Sequence, residues 1–277
     1  MSLPTTLARA LAHAQASGLY RLDAQALLLH ALGRDPHDRA WLIAHDTDTL
    51  PPDALHMWDT VLARRLGGEP LAYITGHKAF YGLDLQVDAR VLDPRADTET
   101  LVDWALHALP EGPQRVLDLG TGSGAIALAL QHQRPAWEVY ALDHSAGALA
   151  VAQANAQRLG LPVHFRHGDW LQGVTDTFHA IVSNPPYVAA GDPHLDALRH
   201  EPAMALSSGP DGLEAIRTIV CSAAQHLHPG GWLLLEHGYE QAQAVCALLA
   251  QAGFSAVQTR HDLAGLERCS GGRLSPA

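Results

Sequence analysis

The stretch that decides the fold runs from Val116 to Leu130 and reads VLDLGTGSGAIALAL. A short apolar run, suited to a buried strand, meets three glycines, Gly120, Gly122 and Gly124, and a helical pattern follows at once. Glycines there let the backbone turn sharply and approach a ligand closely, with the helix N-terminus aimed at it. Working outward, strand-like runs recur at RVLDL, EVYALD, PVHFRH, HAIVSN, GWLLLEH and FSAVQTR. Helical patterns lie between several of them, as in SAGALAVAQANAQRLG and DGLEAIRTIVCSAAQHL. Alternating strand and helix predicts a parallel sheet covered on both faces, a doubly wound α/β domain.

The first 70 or so residues read differently, as helices only. Leu3, Leu7, Leu11 and Ala14 recur at helical spacing up to Gly18, and Asp23 is placed to cap AQALLLHAL before Gly33. Asp38 precedes RAWLIAH, and Pro51-Pro52 opens DALHMWDTVLARRL, which stops at Gly67-Gly68. Four or five short helices predict a small bundle over residues 1–72. Residues 73–95 alternate aromatic and β-branched with polar side chains around Gly76 and Gly82, which predicts a hairpin linker; the α/β domain then takes 96–277.

Bulk properties narrow the classes. The chain has 277 residues, 47% of them apolar and 17% charged, enough for one large or two modest cores. It has no uninterrupted apolar run of about 18 residues, and its N-terminus lacks a basic stretch followed by an apolar one, so a cytoplasmic protein without membrane insertion is expected. The three cysteines, Cys221, Cys246 and Cys269, lie far apart and argue against a disulfide framework; the 18 histidines show no ligand spacing, so no metal is expected. A net charge of −11 opposes stable nucleic-acid binding, which rests on phosphate neutralisation by Lys and Arg.

Polar residues collect where strands end. Asp118 sits two residues before the glycine loop, and Asp143 closes the next strand, where a carboxylate can accept both hydroxyls of a ribose. The following strand ends in HGDW, so Asp169 can accept from an adenine amino group and Trp170 can cover a ring face. The fourth ends in Asn184-Pro185-Pro186-Tyr187. Two prolines fix two φ angles, so the Asn184 side-chain oxygen and the Pro185 carbonyl form a stiff pair of acceptors for one planar –NH₂ group, with Tyr187 as a flat surface to stack on. A planar amide or aryl amine is a poor nucleophile. Fixing both of its N–H groups aims its lone pair, and the two oxygens stabilise positive charge as it attacks a methyl sulfonium.

These motifs, in this order, resemble S-adenosylmethionine-dependent methyltransferases with a seven-stranded Rossmann-like fold. RRLGGEPLAYITG, DPRADTETLV, HEPAMAL, DGLEAI, LLLEHG and HDLAGLER narrow the resemblance to the HemK/PrmC family, which methylates a glutamine side-chain nitrogen in class I peptide-chain release factors. It covers essentially the whole chain. It implies a Rossmann-like methyltransferase domain preceded by a helical bundle that helps dock the release factor. It also implies S-adenosyl-L-methionine as cofactor, bordered by Gly120, Thr121, Gly122, Ser123, Gly124, Asp143, Asp169, Trp170 and Asn184. Asn184, Pro185, Pro186 and Tyr187 are implied to hold the glutamine of the Gly-Gly-Gln loop, with Asn184, Pro185 and Tyr187 as the catalytic set.

Two departures stand out. The family's Pro-Arg-Pro reads Pro94-Arg95-Ala96 here, which bears on the stiffness of that segment, and the run from Tyr187 to Glu201 is short, which bears on the substrate rim. An adenine-N6 or guanine-N2 nucleic-acid methyltransferase shares the Asn-Pro-Pro-Tyr chemistry on a flipped base, but the acidic charge and the lack of a basic recognition segment oppose it. The intact Asn184, Asp143 and glycines oppose a non-catalytic docking module. A dinucleotide dehydrogenase would leave Asn-Pro-Pro-Tyr without a role.

Overall fold

The structure, a computed structural model, describes residues 5–275, so Leu3 of the first helical pattern lies outside the described residues. The chain divides into two compact units, Met1–His77 and Lys78–Ala277.

Among its described residues the first unit holds five helices, α1 (Leu7–Ala16), α2 (Arg21–Ala31), α3 (Arg39–Ala44), α4 (Pro52–Leu66) and α5 (Leu71–Thr75). Their apolar faces meet in one core built on Leu7, Leu27, Leu28, Leu42, Trp58, Val61 and Ile74. Pro52 opens α4 at its first turn, where a missing N–H costs nothing. Asp23 does not cap α2 as expected: the helix starts at Arg21, and Asp23 sits inside its first turn with Oδ2 taking a 3.0 Å hydrogen bond from Arg65 of α4. A tertiary ion pair there outweighs the local capping preference.

The second unit begins with a hairpin, β1 (His77–Phe80) and β2 (Leu83–Gln86). Tyr81 and Gly82 both have positive φ, as a two-residue hairpin turn matched to strand twist requires. The remaining elements are α6 (Glu99–Ala108), β3 (Arg115–Leu119), α7 (Ala125–Gln133), β4 (Glu138–Asp143), α8 (Ala146–Leu159), β5 (His164–His167), β6 (Phe178–Ser183), α9 (Glu214–Ala223), β7 (Leu227–Glu236), α10 (Ala242–Gln251), β8 (Phe254–His261) and β9 (Glu267–Leu274). Seven of these strands form one sheet in the order β5-β4-β3-β6-β7-β9-β8. One face packs Ile181, Leu233 and Leu235 against α9 and α10. The other brings Trp104 of α6 against Leu234 and Gly271.

The sheet is mixed, which corrects the all-parallel expectation. β3 to β7 are parallel, while β9 runs antiparallel to both β7 and β8 and is inserted between them. The residue pattern gave no sign of β9, because its centre is Ser270-Gly271-Gly272. Glycine weakens a strand signal, yet it is needed at Gly271: a Cβ there would stand 2.6 Å from Leu234 Cδ2 and 3.0 Å from the Trp104 ring.

Candidate active site

From β3 the chain builds outward through β4 to β5, then returns to lay β6 on the other side of β3. Such a reversal opens a crevice at the carboxyl ends of the strands. Register aligns those ends: Leu119 pairs with Leu142 on one side and with Ser183 on the other, and Asp143 pairs with His167. A cavity of about 360 Å³ lies there, bounded by the glycine loop, the ends of β4 and β6, and Asp169-Trp170.

The glycine loop is held from three sides. Gly120 N and Thr121 N donate to the Leu142 carbonyl at 2.8 and 3.0 Å. The Thr121 hydroxyl donates to Asp118 at 2.6 Å, and Ala127 N donates to the same oxygen at 3.2 Å. Buried Asn155 of α8 donates to the Ser123 carbonyl at 3.0 Å while pairing both ways with the Gln86 backbone. Asp118 is fully buried, and its other oxygen has no partner among the described residues. Burial lifts its carboxyl to about 7, against the lowering pull of Thr121 and Ala127, with nearby Asp143 adding to the rise.

Asp143 accepts Gly122 N and Ser145 N, each at 2.8 Å, one on each oxygen. Its carboxylate is thereby fixed at the cavity wall with a lone pair left on each oxygen. Asp169 accepts from Gln172 at 2.9 Å, and Trp170 adopts a positive φ of 48°. Gly120, at φ +71°, lies against that indole, and a Cβ there would meet its ring at an ordinary contact distance of 3.6 Å, so backbone conformation rather than space calls for glycine.

Asn184 follows β6. Its Nδ2 donates to the Thr98 hydroxyl at 3.2 Å, and its Oδ1 takes no hydrogen bond from a described residue. No described residue donates to the Pro185 carbonyl. Gln241 donates to the Tyr187 carbonyl at 3.0 Å. Gly212, at φ +75°, lies against that carbonyl, where a Cβ would come within 2.2 Å of the oxygen. Burial, and then the charge of Glu236, push the Tyr187 phenol well above its ordinary range, so it stays protonated.

Of the expected site residues, Gly120, Thr121, Gly122, Ser123, Asp143, Asp169, Trp170, Asn184 and Pro186 line the cavity. Gly124, Pro185 and Tyr187 do not. Gly124 starts α7 in the left-handed conformation, and its missing Cβ makes room for Leu128 and Ala152, so it serves packing. Thr98, Arg90, Pro94 and Met204 also line the cavity and were not singled out from sequence. Thr98 lay inside a quoted motif, DPRADTETLV, and a hydroxyl beside two acids was the available signal.

The segment carrying Thr98, which lacks the second proline, is tied by side-chain bonds on both flanks. Ala96 starts a 3₁₀ turn, Ala96–Thr98. Asp93 N donates to Glu201 at 3.2 Å, Arg95 pairs with the same buried Glu201, and Asp97 meets Arg268 at 3.3 Å.

Comparison with known proteins agrees with this geometry. Residues 103–259 match the family model "Methyltransferase small domain", and residues 5–76 match "PrmC N-terminal domain". A release factor glutamine methyltransferase of Bordetella pertussis is 51% identical over 93% of this chain and 96% of its own length. The chain belongs to the release factor glutamine methyltransferase family. Its Escherichia coli member is 42% identical over 96% of this chain and 97% of its own. A solved methyltransferase from Pyrococcus furiosus, 22% identical, shares the fold with a TM-score of 0.55 over 79% of this chain and all of that one.

Family membership makes S-adenosylmethionine the cofactor. The residues present fit it: a carboxylate anchored at the end of β4, a loop of glycines with its amides tied back, and an aromatic ring across from Gly120. Among the described residues no helix is long and apolar enough to cross a membrane.

Proposed function

We propose that this chain methylates the side-chain amide nitrogen of the glutamine in the Gly-Gly-Gln loop of class I peptide-chain release factors. The observation that carries the reading is the state of Asn184, which lines the cavity: its nitrogen is occupied by Thr98, while its oxygen and the carbonyl of the next residue, Pro185, are both uncommitted among the described residues. Two acceptors a residue apart match the two hydrogens of one primary amide. The curated relatives are named for that substrate class, which supports the choice over a nucleobase.

When bound, S-adenosylmethionine supplies an electrophilic methyl carbon on a sulfonium. Asp143 would hold its ribose hydroxyls, Trp170 and Asp169 would border its adenine, and Gly120 to Ser123 would border its methionine part. Asn184 and Pro185 accept both amide hydrogens of the glutamine, which turns its lone pair out of the amide plane toward the methyl carbon. As the N–CH₃ bond forms and the S–CH₃ bond breaks, leaving a neutral thioether, the same two oxygens stabilise the positive nitrogen, which then gives one proton to solvent water. Pro186 keeps the fork rigid, and the protonated Tyr187 flanks the amide without acting as a base. The helical unit contributes to docking the release factor.

The test is incubation of the protein and labelled S-adenosylmethionine with either a purified release factor or nucleic acid. Label on the release factor is expected. Label on DNA or RNA alone would replace this reading with base methylation.

A further inference from the structure

Glu236 ends β7 one step beyond the parallel pair Ser183–Leu235, so Asn184 and Glu236 leave the sheet side by side. Both carboxyl oxygens are buried, and neither is met by a donor at full hydrogen-bond geometry among the described residues, although the Thr98 and Tyr187 hydroxyls stand close enough to favour its charged form. A carboxyl in that state is costly and calls for a reason. Around it, Thr98 from the 3₁₀ turn and Tyr187 from the segment after β6 present hydroxyls to it, the charges of Asp97 and of Arg268 from β9 reach it, and its own charge reaches Tyr187 and Cys269. Thr98 is the residue that takes the Nδ2 hydrogen of Asn184.

A side-chain amide can turn over, exchanging its oxygen for its nitrogen, and what decides is the hydrogen bond it makes. A threonine hydroxyl has one proton and can offer it in one direction only. If that proton faced Asn184, it would draw Oδ1 inward and leave two N–H donors facing the donors of a substrate amide. We propose that Glu236 is a positioning residue that draws the Thr98 proton to itself, leaving Thr98 Oγ1 as an acceptor that fixes Asn184 with its oxygen toward the substrate. Once ionised, the carboxylate has no proton to give, and the direction is then set. No group is consumed: Glu236 acts on the reaction only through Thr98 and Asn184. The inference rests on the functional reading above and deepens it.

The test compares the full-length wild type with Thr98→Val, Thr98→Ser and Glu236→Leu. It reads kcat and KM on a release factor, the Kd of S-adenosylmethionine by calorimetry, and hydrogen exchange of the Asn184 side-chain –NH₂ by NMR. Thr98→Val and Glu236→Leu should lose roughly 100-fold in kcat, the scale of a misaligned reacting group, with cofactor Kd held within about twofold, well under the tenfold that 1.4 kcal/mol would bring. In both, the Asn184 amide hydrogens should exchange faster than in the wild type, and Thr98→Ser should recover most of the lost rate. Glu236→Leu or Thr98→Val with wild-type kcat, or Thr98→Ser as impaired as Thr98→Val, overturns the proposal. Should Glu236→Leu fail to bind cofactor, Glu236→Ala is read in its place by the same criteria. Should the wild type leave the release factor unmodified, the functional reading fails, and amide exchange unchanged in Thr98→Val then overturns this inference separately.

Discussion

Gly212 lies outside the cavity lining, yet its replacement by alanine should silence the enzyme. Two costs add. At φ +75° a residue with a Cβ is strained by about 1–2 kcal/mol. The new methyl would also stand 2.2 Å from the Tyr187 carbonyl oxygen and 2.8 Å from Gln241 Nε2, the group that holds this carbonyl. Relieving the contact moves the Tyr187 backbone by about 1 Å, and Pro185-Pro186, whose φ angles are fixed, pass that shift on to Asn184. A displacement of about 1 Å at a positioning group is worth roughly 100-fold in rate, near 2.7 kcal/mol on the barrier. Gly212→Ala should therefore lose about two orders of magnitude in kcat on a release factor while its calorimetric Kd for S-adenosylmethionine stays close to the wild type. Gly112→Ala is the control, since nothing lies within 4 Å of a Cβ at that exposed position. A folded Gly212→Ala protein that turns over within about threefold of the wild type would refute the claim that this glycine pins the fork.

Two further outcomes follow from the charged groups. Asp143→Ala should weaken cofactor binding by about 1.5–3 kcal/mol for each charge-assisted hydrogen bond lost, and it also frees the Gly122 and Ser145 amides; an unchanged calorimetric Kd would contradict the ribose assignment. Glu236 has its carboxyl raised by burial from 4.5 to about 7, so its contribution to stability is fully present below 4.5 and is lost as pH rises through 7. Urea unfolding at pH 5 and pH 8 should show Glu236→Gln gaining on the wild type at the higher pH, by about 3 kcal/mol at most, and parallel pH dependences would exclude that burial penalty.

The sequence showed the parts of the site that depend on residue type at a strand end. Gly120, Gly122, Asp143 and Asn184 stand where the chain leaves the sheet, and that position follows from the apolar runs before them. What stayed hidden depends on tertiary partners. Gly212 and Gln241 matter only because Tyr187 folds against them, and Asn155 matters because it reaches both Gln86 and Ser123. Strand β9 escaped notice because the glycines that let Trp104 pack across it also erase its apolar alternation. Asp23 read as a cap because local chemistry favours one there, and Arg65, 42 residues away, claims it instead.

The central claim is that the Asn184 oxygen and the Pro185 carbonyl grip a primary amide. Tandem mass spectrometry of a purified release factor, after incubation with S-adenosylmethionine and either the wild type or Asn184→Ala, tests it most directly. The account predicts one added methyl on the side-chain nitrogen of the Gly-Gly-Gln glutamine with the wild type, and none with Asn184→Ala although that variant still binds cofactor. Equal methylation by both proteins would contradict it.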